Sequence, residues 1–220
     1  AGVAGLSAIA TAHAMGAKVY ANDVRDAVRE QVESMGAEFV PVDDVEGIRG
    51  EGAGGYASAM GQAFNDAQLR TYARVIKDMD VVITTAMIPN RNAPILIPEE
   101  VVESMRRGSV IVDLAASAGG NCALTHRDQT FVSSGGVTII GETNYPSQMA
   151  AQASDMLANN MAALIETLGG AADFGGNHWE DPIILPATVV RQGQLLWPPA
   201  PQAAPAAPTE AATEAAGPPV

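Results

Sequence analysis

The sequence predicts an α/β fold with a doubly wound parallel sheet, and three observations carry that prediction. Short β-branched runs alternate with helical patterns along most of the chain, which is typical of layered α/β domains. Two of these runs, at 80–86 and 109–115, are strongly apolar, as parallel strands buried on both faces are. Residues 3–15 are small and apolar, as expected for a helix packed tightly on such a sheet.

The composition limits the class of protein. The chain has 220 residues, of which 47% are hydrophobic, so it can bury one sizeable core. A net charge of −13 argues against a nucleic-acid binder, which would present a basic face. The single cysteine, Cys122, excludes an internal disulfide, and the three histidines show no metal-ligand spacing. No apolar run in the sequence reaches the roughly 18 residues that a membrane span needs.

The first half of the chain is predicted to alternate helix and strand. Gly16 ends the first helix in the usual manner of a glycine after a helix C-terminus. The elements that follow are a strand at 17–23, an amphipathic helix at 24–36, a short strand at 38–42, a Gly-rich acidic segment at 43–55 and a long helix from about 56 to 79.

The second half continues this alternation after the strand at 80–86. Residues 98–108 predict a short helix, because proline stands at its start, acids in its first turn and arginines in its last. The strand at 109–115 comes next, and residues 131–141 predict two short strands around a Gly-Gly turn. A long helix is predicted at 147–169.

The opening residues match the later part of a nucleotide-binding G-x-G-x-x-G turn. Gly2 and Gly5 would let a pyrophosphate approach backbone N–H groups at a helix N-terminus. The same pattern expects a carboxylate about 20 residues further on, where Asp23 stands. A carboxylate there accepts hydrogen bonds from ribose hydroxyls and repels a 2′-phosphate, which predicts NAD(H) rather than NADP(H). In the alternative interpretation, Gly2 and Gly5 only permit close packing and Asp23 caps the next helix.

Five later segments make a more specific pattern. In chain order they are NDVRDAVREQVESMGAEFVPVDD, EGAGGYASAM, VVITTAMIPNRNAPILI, GSVIVDLAASAGGNC and VTIIGETNYPS. Over about residues 1–197, the chain resembles the NAD(H)-binding alpha subunit of proton-translocating nicotinamide nucleotide transhydrogenases. That resemblance implies a Rossmann-type sheet whose first strand is missing here. The related alanine dehydrogenases share the domain but are expected to lack the insertion that carries GGYA, which is therefore the main discriminator.

The resemblance also implies a set of nucleotide contacts. They are Ala1, Gly2 and Val3 at the dinucleotide, Asp23, Val24 and Arg25 at the adenosine ribose, Gly55 and Tyr56 on a mobile loop at about 43–56, and Gln68, Ala86 and Met87. Met87 stands where the family usually has leucine, which is of similar size and polarity. Ser117 stands where the family tends to carry an acid, glutamine or similar polar residue, and we assign it no function.

Some of these residues have a purely structural alternative. The Gly-rich loop could be an idle surface excursion, and Tyr56 could be an ordinary residue at the start of a helix. Asp113 and Asn121, near a strand end, could be structural caps, and we assign them no role. Cys122 is expected to be a buried or half-buried thiol, because no activating base lies near it in the sequence.

The function implied by the resemblance is direct hydride transfer. The chain would hold NAD(H), a partner component would hold NADP(H), and a membrane component would couple the transfer to proton translocation. We predict no catalytic side chain and no metal, because hydride transfer between two nicotinamide rings needs no protein proton donor, whereas imine reduction needs one. The alternatives are an alanine-dehydrogenase-like amino-acid dehydrogenase and a non-catalytic NAD-binding module.

The predicted organisation has three parts. Residues 1–170 form the NAD(H)-binding domain, 171–197 return to an N-terminal domain that the family carries upstream, and 198–220, with seven of the 14 prolines, form a Pro/Ala-rich disordered tail or linker. Since the family's nicotinamide-orienting loop also lies upstream, we expect a fragment that is not fully active alone. The resemblance further implies a homodimer, peripheral on the cytoplasmic side of the inner membrane, or on the matrix side in mitochondria.

Overall fold

A computed structural model describes residues 1–42, 62–88, 91–176 and 178–197 of the chain. Two compact units divide after Gln148. The first unit combines helices with a parallel sheet, which confirms the predicted α/β fold class. The unit boundary lies before residue 170, and the predicted division into 1–170, 171–197 and 198–220 stays a prediction.

The first unit contains five helices and six strands among its described residues. The helices are α1 (Val3–Ala14), α2 (Arg29–Ser34), α3 (Gln62–Ile76), α4 (Glu99–Glu103) and α5 (Tyr145–Gln148). The strands are β1 (Tyr20–Ala21), β2 (Glu38–Phe39), β3 (Val81–Thr84), β4 (Val110–Asp113), β5 (Thr130–Val132) and β6 (Thr138–Ile140). Short 3₁₀ turns at Asp26–Val28 and Ala116–Ala118 complete it.

The strands form two sheets. β1 pairs in parallel with β2, and a second sheet has the order β3-β4-β6-β5, in which only β5 is antiparallel. In the doubly wound order 3-2-1-4-5-6, β2 and β1 take the places of strands 3 and 2, and β3, β4 and β6 take those of 4, 5 and 6. Among the described residues no strand takes the place between β1 and β3. Helix α1 contacts elements of both sheets.

The main core lies on one face of the larger sheet. Ile111 and Ile139, on neighbouring strands, are fully buried beneath α3 and α4 residues such as Val102 and Ile76. The opposite face is less covered, since Val81 and Ile83 of β3 are 57% and 44% exposed. A smaller core packs α1 and α2 against β1 and β2, with Val32 fully buried.

Several predicted elements are shorter in the structure than the sequence pattern indicated. The strand predicted at 17–23 is only Tyr20–Ala21, and the helix predicted at 98–108 is only Glu99–Glu103. The helix predicted at 24–36 begins as a 3₁₀ turn after an extended Arg25, whose N–H binds the Asp23 carboxylate instead of joining a helix. The two strands predicted within 131–141 are confirmed as the antiparallel pair β5 and β6.

The second unit contains α6 (Ala150–Thr167), α7 (Gly170–Asp173) and α8 (Ile184–Ala187) in its described residues. A hairpin of β7 (Val190–Arg191) and β8 (Gln194–Leu195) follows them. The single helix predicted at 147–169 is therefore divided into α5 and α6, because Met149 leaves the helical conformation with φ −121° and ψ 48°. No helix in the described ranges is long and apolar enough to cross a membrane.

Candidate functional site

The N-terminus of α1 is open. Gly2 is its N-cap residue, so no capping side chain accepts a hydrogen bond from the first-turn N–H groups, and the first turn contains no acid. A Cβ placed on Gly2 would meet no atom of the described residues within 4 Å, and the Val3 side chain is 91% exposed. Such an end presents backbone N–H groups and the positive pole of the helix dipole, which suits an anion.

Asp23 lies beside this helix end, just past the carboxyl end of β1. Its Oδ2 is 2.7 Å from the backbone nitrogen of Ala1. Arg25 donates to both of its oxygens, from Nε to Oδ1 and from Nη2 to Oδ2, each at 2.9 Å, and the Arg25 backbone N–H donates to Oδ1 at 2.9 Å. Val24, between the two, is half-buried.

These contacts keep the Asp23 carboxyl ionised. Burial opposes ionisation, but the hydrogen bonds from Arg25 and from the Ala1 nitrogen outweigh it and lower the pKa of Asp23 to about 2. Each carboxylate oxygen already accepts two hydrogen bonds, so a ligand hydroxyl must displace one. Because the carboxylate accepts the Arg25 N–H at the start of the next turn, it also has the capping role of the alternative interpretation.

The carboxyl end of β3 also lies beside α1. A Cβ added to Gly5 would stand 3.6 Å from Thr85 Oγ1, which is ordinary van der Waals contact. Ala86 follows Thr85, and its N–H and C=O both bind the side chain of Asn121. Met87 is 55% exposed. The structure thus brings Ala1, Gly2, Asp23 and the segment containing Ala86 around one end of α1.

Gln68, which the resemblance implies to be a nucleotide contact, is largely buried. It lies on α3, is 7% exposed, and donates from Nε2 to the Tyr72 hydroxyl at 3.0 Å. That hydroxyl donates to Asn22 Oδ1 at 2.6 Å, and Asn22 Nδ2 donates to the Val40 carbonyl at 2.6 Å. Gln68 is therefore the buried end of a partly buried network beside Asp23, and its role as a nucleotide contact stays a prediction.

The fold agrees with comparisons to known proteins. The family described as alanine dehydrogenase/PNT, C-terminal domain, matches residues 1–198. The chain belongs to this family. The resemblance drawn from the sequence is confirmed at that level.

Individual relatives of this alanine dehydrogenase/PNT domain are longer than the chain. The alpha subunit of NAD(P) transhydrogenase from Cereibacter sphaeroides is 49% identical over 200 residues, which cover 90% of this chain and 38% of that protein. A crystal structure of transhydrogenase from Sinorhizobium meliloti matches with a TM-score of 0.70 at 38% identity, over 89% of this chain and 50% of that one. An L-alanine dehydrogenase structure matches with a TM-score of 0.64 at 25% identity, over 90% of this chain and 49% of that one.

A second polar cluster in this alanine dehydrogenase/PNT domain was singled out in the sequence without a role. Asp113, at the end of β4, is fully buried. It accepts hydrogen bonds from the hydroxyls of Thr84 and Thr125 and from the backbone N–H groups of Ala115, Asn121 and Cys122. The signal for it in the sequence is an acid that ends an apolar strand before Gly-Gly-Asn. Cys122 itself is 1% exposed, as expected, and burial raises its pKa.

One group of predicted contacts cannot be placed. Gly55 and Tyr56, and the loop at about 43–56 that carries them, lie outside the described residues.

The sequence also did not anticipate that Tyr72 and Asn22, which are 50 residues apart, hydrogen-bond to each other beside the site.

Proposed function

We propose that this chain supplies the NAD(H) site of an NAD(P) transhydrogenase. Hydride then passes between NAD(H) on this chain and NADP(H) on a partner component. The observation that carries the proposal is the position of the ionised Asp23 carboxylate beside the open N-terminus of α1. Its Oδ2 is 2.7 Å from the nitrogen of Ala1, which comes just before that helix end. Relatives named as transhydrogenase support it, since they match at 49% and 38% identity, against 25% for the L-alanine dehydrogenase structure.

The chemistry of the residues fits a dinucleotide. Backbone N–H groups at an uncapped helix N-terminus suit a pyrophosphate, and Gly2 leaves room for its oxygens to come close. An ionised carboxylate accepts hydrogen bonds from both ribose hydroxyls. The same negative charge repels a ribose 2′-phosphate, so Asp23 would select NAD(H) over NADP(H).

Arg25 has a specific part in this proposal. Because its guanidinium occupies both oxygens of Asp23, ribose binding exchanges at least one of these hydrogen bonds for a hydroxyl donor. The guanidinium then turns aside while the Arg25 backbone N–H keeps its bond to Oδ1. The backbone N–H of Arg25 therefore still holds the Asp23 carboxylate in place when the ligand binds.

The chain's own residues bind and orient, and they exchange no proton in the proposed reaction. The cofactor supplies the hydride-transfer chemistry at its nicotinamide ring, where NADPH and NAD⁺ give NADP⁺ and NADH with no net proton. The predicted loop at 43–56 would exclude water from the transfer. An NADP(H)-binding partner, a membrane component that couples proton translocation, a homodimer and a peripheral membrane location belong to the same proposal.

The test is stopped-flow hydride transfer. The full-length natural protein is mixed with its NADP(H)-binding component, NADPH and an NAD⁺ analogue whose reduced form absorbs at a separate wavelength. We expect rapid reduction of the analogue, and its collapse when residues 47–56 are deleted. A chain that binds NADH but transfers no hydride would overturn the proposal. Activity with pyruvate and ammonia would then favour the dehydrogenase alternative, and inactivity there would favour the non-catalytic module.

A further inference from the structure

We infer that Asn121 is a positioning residue of the nucleotide site. Its side chain fixes the backbone of Ala86 and also binds the Pro94 carbonyl, so the residues after β3 present a defined surface to the ligand. The inference rests on the proposed function, because it concerns the nucleotide-facing segment. It adds a fully buried residue that is not itself among the predicted nucleotide contacts.

The geometry of the Asn121 side chain uses every polar group it has. Oδ1 accepts the Ala86 N–H at 3.0 Å, and Nδ2 donates to the carbonyls of Ala86 at 2.9 Å and Pro94 at 2.8 Å. The residue is fully buried. Only a carboxamide offers this combination of one acceptor and two donors on a short side chain.

The backbone of Asn121 also binds the residues that follow Pro94. Its carbonyl accepts the N–H groups of Leu96 and Ile97 at 2.8 and 3.0 Å. Its own N–H donates to Asp113 Oδ2 at 2.7 Å. The loop that follows β3 is therefore held against the loop that follows β4, and Asp113 anchors the connection at the end of the sheet.

The position of these bonds along the chain gives them their consequence. β3 ends at Thr84, so Ala86 lies beyond the strand pairing that would otherwise fix its backbone. The Asn121 side chain instead hydrogen-bonds both the N–H and the C=O of Ala86. The next residue, Met87, is 55% exposed at the same edge of the sheet where parallel α/β folds bind ligands. The buried side chain of Asn121 thus sets the backbone conformation next to the exposed Met87.

The experiment compares nucleotide affinity in variants of the full-length natural protein. Asn121→Ala removes all three side-chain hydrogen bonds, and Asn121→Asp keeps the shape but turns an oxygen toward two carbonyls. Ser109→Ala is the matched control, because Ser109 is 4% exposed and loses one buried bond to the Met79 carbonyl at the opposite end of β4. NADH dissociation constants are measured by fluorescence titration at temperatures where each variant is folded by circular dichroism.

We expect the Asn121 variants to bind NADH about tenfold more weakly or worse, and Ser109→Ala to bind it as the parent does. We also expect the Ala86 amide to exchange hydrogen faster in Asn121→Ala while the β4 amides stay protected. NADH affinity equal to that of the parent in both Asn121 variants would overturn the inference. A parent protein that binds no NADH would instead overturn the proposed function, and the inference with it.

A measurement on the unaltered protein covers the case in which the variants fail to fold. Hydrogen exchange is followed for residues 85–88 and 91–97 with and without NADH. The inference expects NADH to slow exchange in this segment as well as around Asp23. Slowing around Asp23 alone would show that the segment held by Asn121 lies outside the nucleotide site.

Discussion

The guanidinium of Arg25 donates to both carboxylate oxygens of Asp23, with Nε–Oδ1 and Nη2–Oδ2 distances of 2.9 Å each. Two residues that the sequence assigns to the adenosine ribose are thus partners of one another. The pair has 10% and 20% side-chain exposure at Asp23 and Arg25, so water screens it less than a surface pair. The contribution of this pair to stability can be measured by unfolding, and its proposed exchange for ligand hydroxyls by nucleotide titration.

The first prediction concerns the pH dependence of stability. Asp23 has a pKa of about 2 in the folded chain against an ordinary value of 3.8. A lowered pKa means that ionised Asp23 stabilises the fold above about pH 4, and that this contribution is lost as the pH falls from about 4 to 2. The shift corresponds to roughly 2 kcal/mol. Part of it comes from the Ala1 nitrogen, which in a chain extended upstream would be an uncharged amide donor.

Urea unfolding at several pH values measures this effect. Asp23→Asn should unfold more easily than the parent at pH 7, and the difference should shrink toward pH 2. Asp26→Asn serves as the control, because Asp26 is 79% exposed and its nearest contact with Arg29 is 3.9 Å long. An unchanged difference between parent and Asp23→Asn from pH 7 to pH 2 would contradict the pKa of Asp23.

The second prediction separates ligand binding from packing at the two opening glycines. Gly2→Ala adds a methyl group that meets no protein atom within 4 Å, so we expect a stability change below about 1 kcal/mol. The methyl group would nevertheless occupy the space where a pyrophosphate approaches, and NADH affinity should fall about tenfold or more.

Gly5→Ala is the matched partner of that variant. Its Cβ would make ordinary contact with Thr85 Oγ1 at 3.6 Å, and alanine favours the helix by about 0.5 kcal/mol or more. We expect equal or higher stability and a smaller loss of NADH affinity than in Gly2→Ala, because the Gly5 Cβ would face Thr85. If Gly2→Ala bound NADH normally, the proposed approach of the pyrophosphate to Gly2 would be wrong.

Much of the fold follows from sequence pattern, because hydrophobic period and turn residues act locally. The order of helix and strand, the buried character of β4 and the β5–β6 pair are of this kind. The lengths of the elements do not follow from sequence pattern, since they depend on hydrogen bonds between side chains and the backbone. The bond from the Arg25 N–H to Asp23 removes a turn from the predicted helix at 24–36, and no period in the sequence reports it.

The same limit applies to the site. Asp23 is predictable because a nucleotide fingerprint spaces its carboxylate at a fixed distance along the chain. The link from α3 to Asn22 is not, since the Tyr72 hydroxyl contacts Asn22 across 50 residues. Asn121 is visible in the sequence only as a polar residue after Gly-Gly, and its bonds to Ala86 span 35 residues. Contacts of this length are set by strand order and not by local pattern.

The third prediction tests the cluster around Asp113. Gly120 has a φ of +86°, and a Cβ on it would stand 2.8 Å from Asp113 Oδ2 and 2.9 Å from Thr125 Cβ. Gly108 has a similar φ of +89° with nothing within 4 Å. Alanine at either position costs about 1 kcal/mol in backbone strain, but only Gly120→Ala also displaces the donors of a buried carboxylate.

We therefore expect Gly120→Ala to lower the free energy of unfolding by at least about 2 kcal/mol more than Gly108→Ala does. Urea unfolding followed by circular dichroism gives both values. Equal losses for the two variants would mean that the loop around Asp113 yields to the added methyl group at little cost.

The last prediction concerns the buried network beside Asp23. The Tyr72 hydroxyl accepts from Gln68 Nε2 at 3.0 Å and donates to Asn22 Oδ1 at 2.6 Å. Tyr72→Phe keeps the ring but leaves that amide donor and that carbonyl acceptor without this partner in a site where Gln68 is 7% exposed. Unsatisfied buried groups of this kind cost about 1–3 kcal/mol.

Tyr145→Phe provides the control, because the Tyr145 hydroxyl is buried and has no hydrogen-bond partner in the described part of the chain. Its removal should leave the free energy of unfolding unchanged or slightly raised, since no bond is lost and a buried hydroxyl without a partner is removed. We expect Tyr72→Phe to be less stable than Tyr145→Phe by more than about 1 kcal/mol. The opposite order would mean that the bond between α3 and the end of β1 contributes nothing to holding Asn22, and with it Asp23, in place.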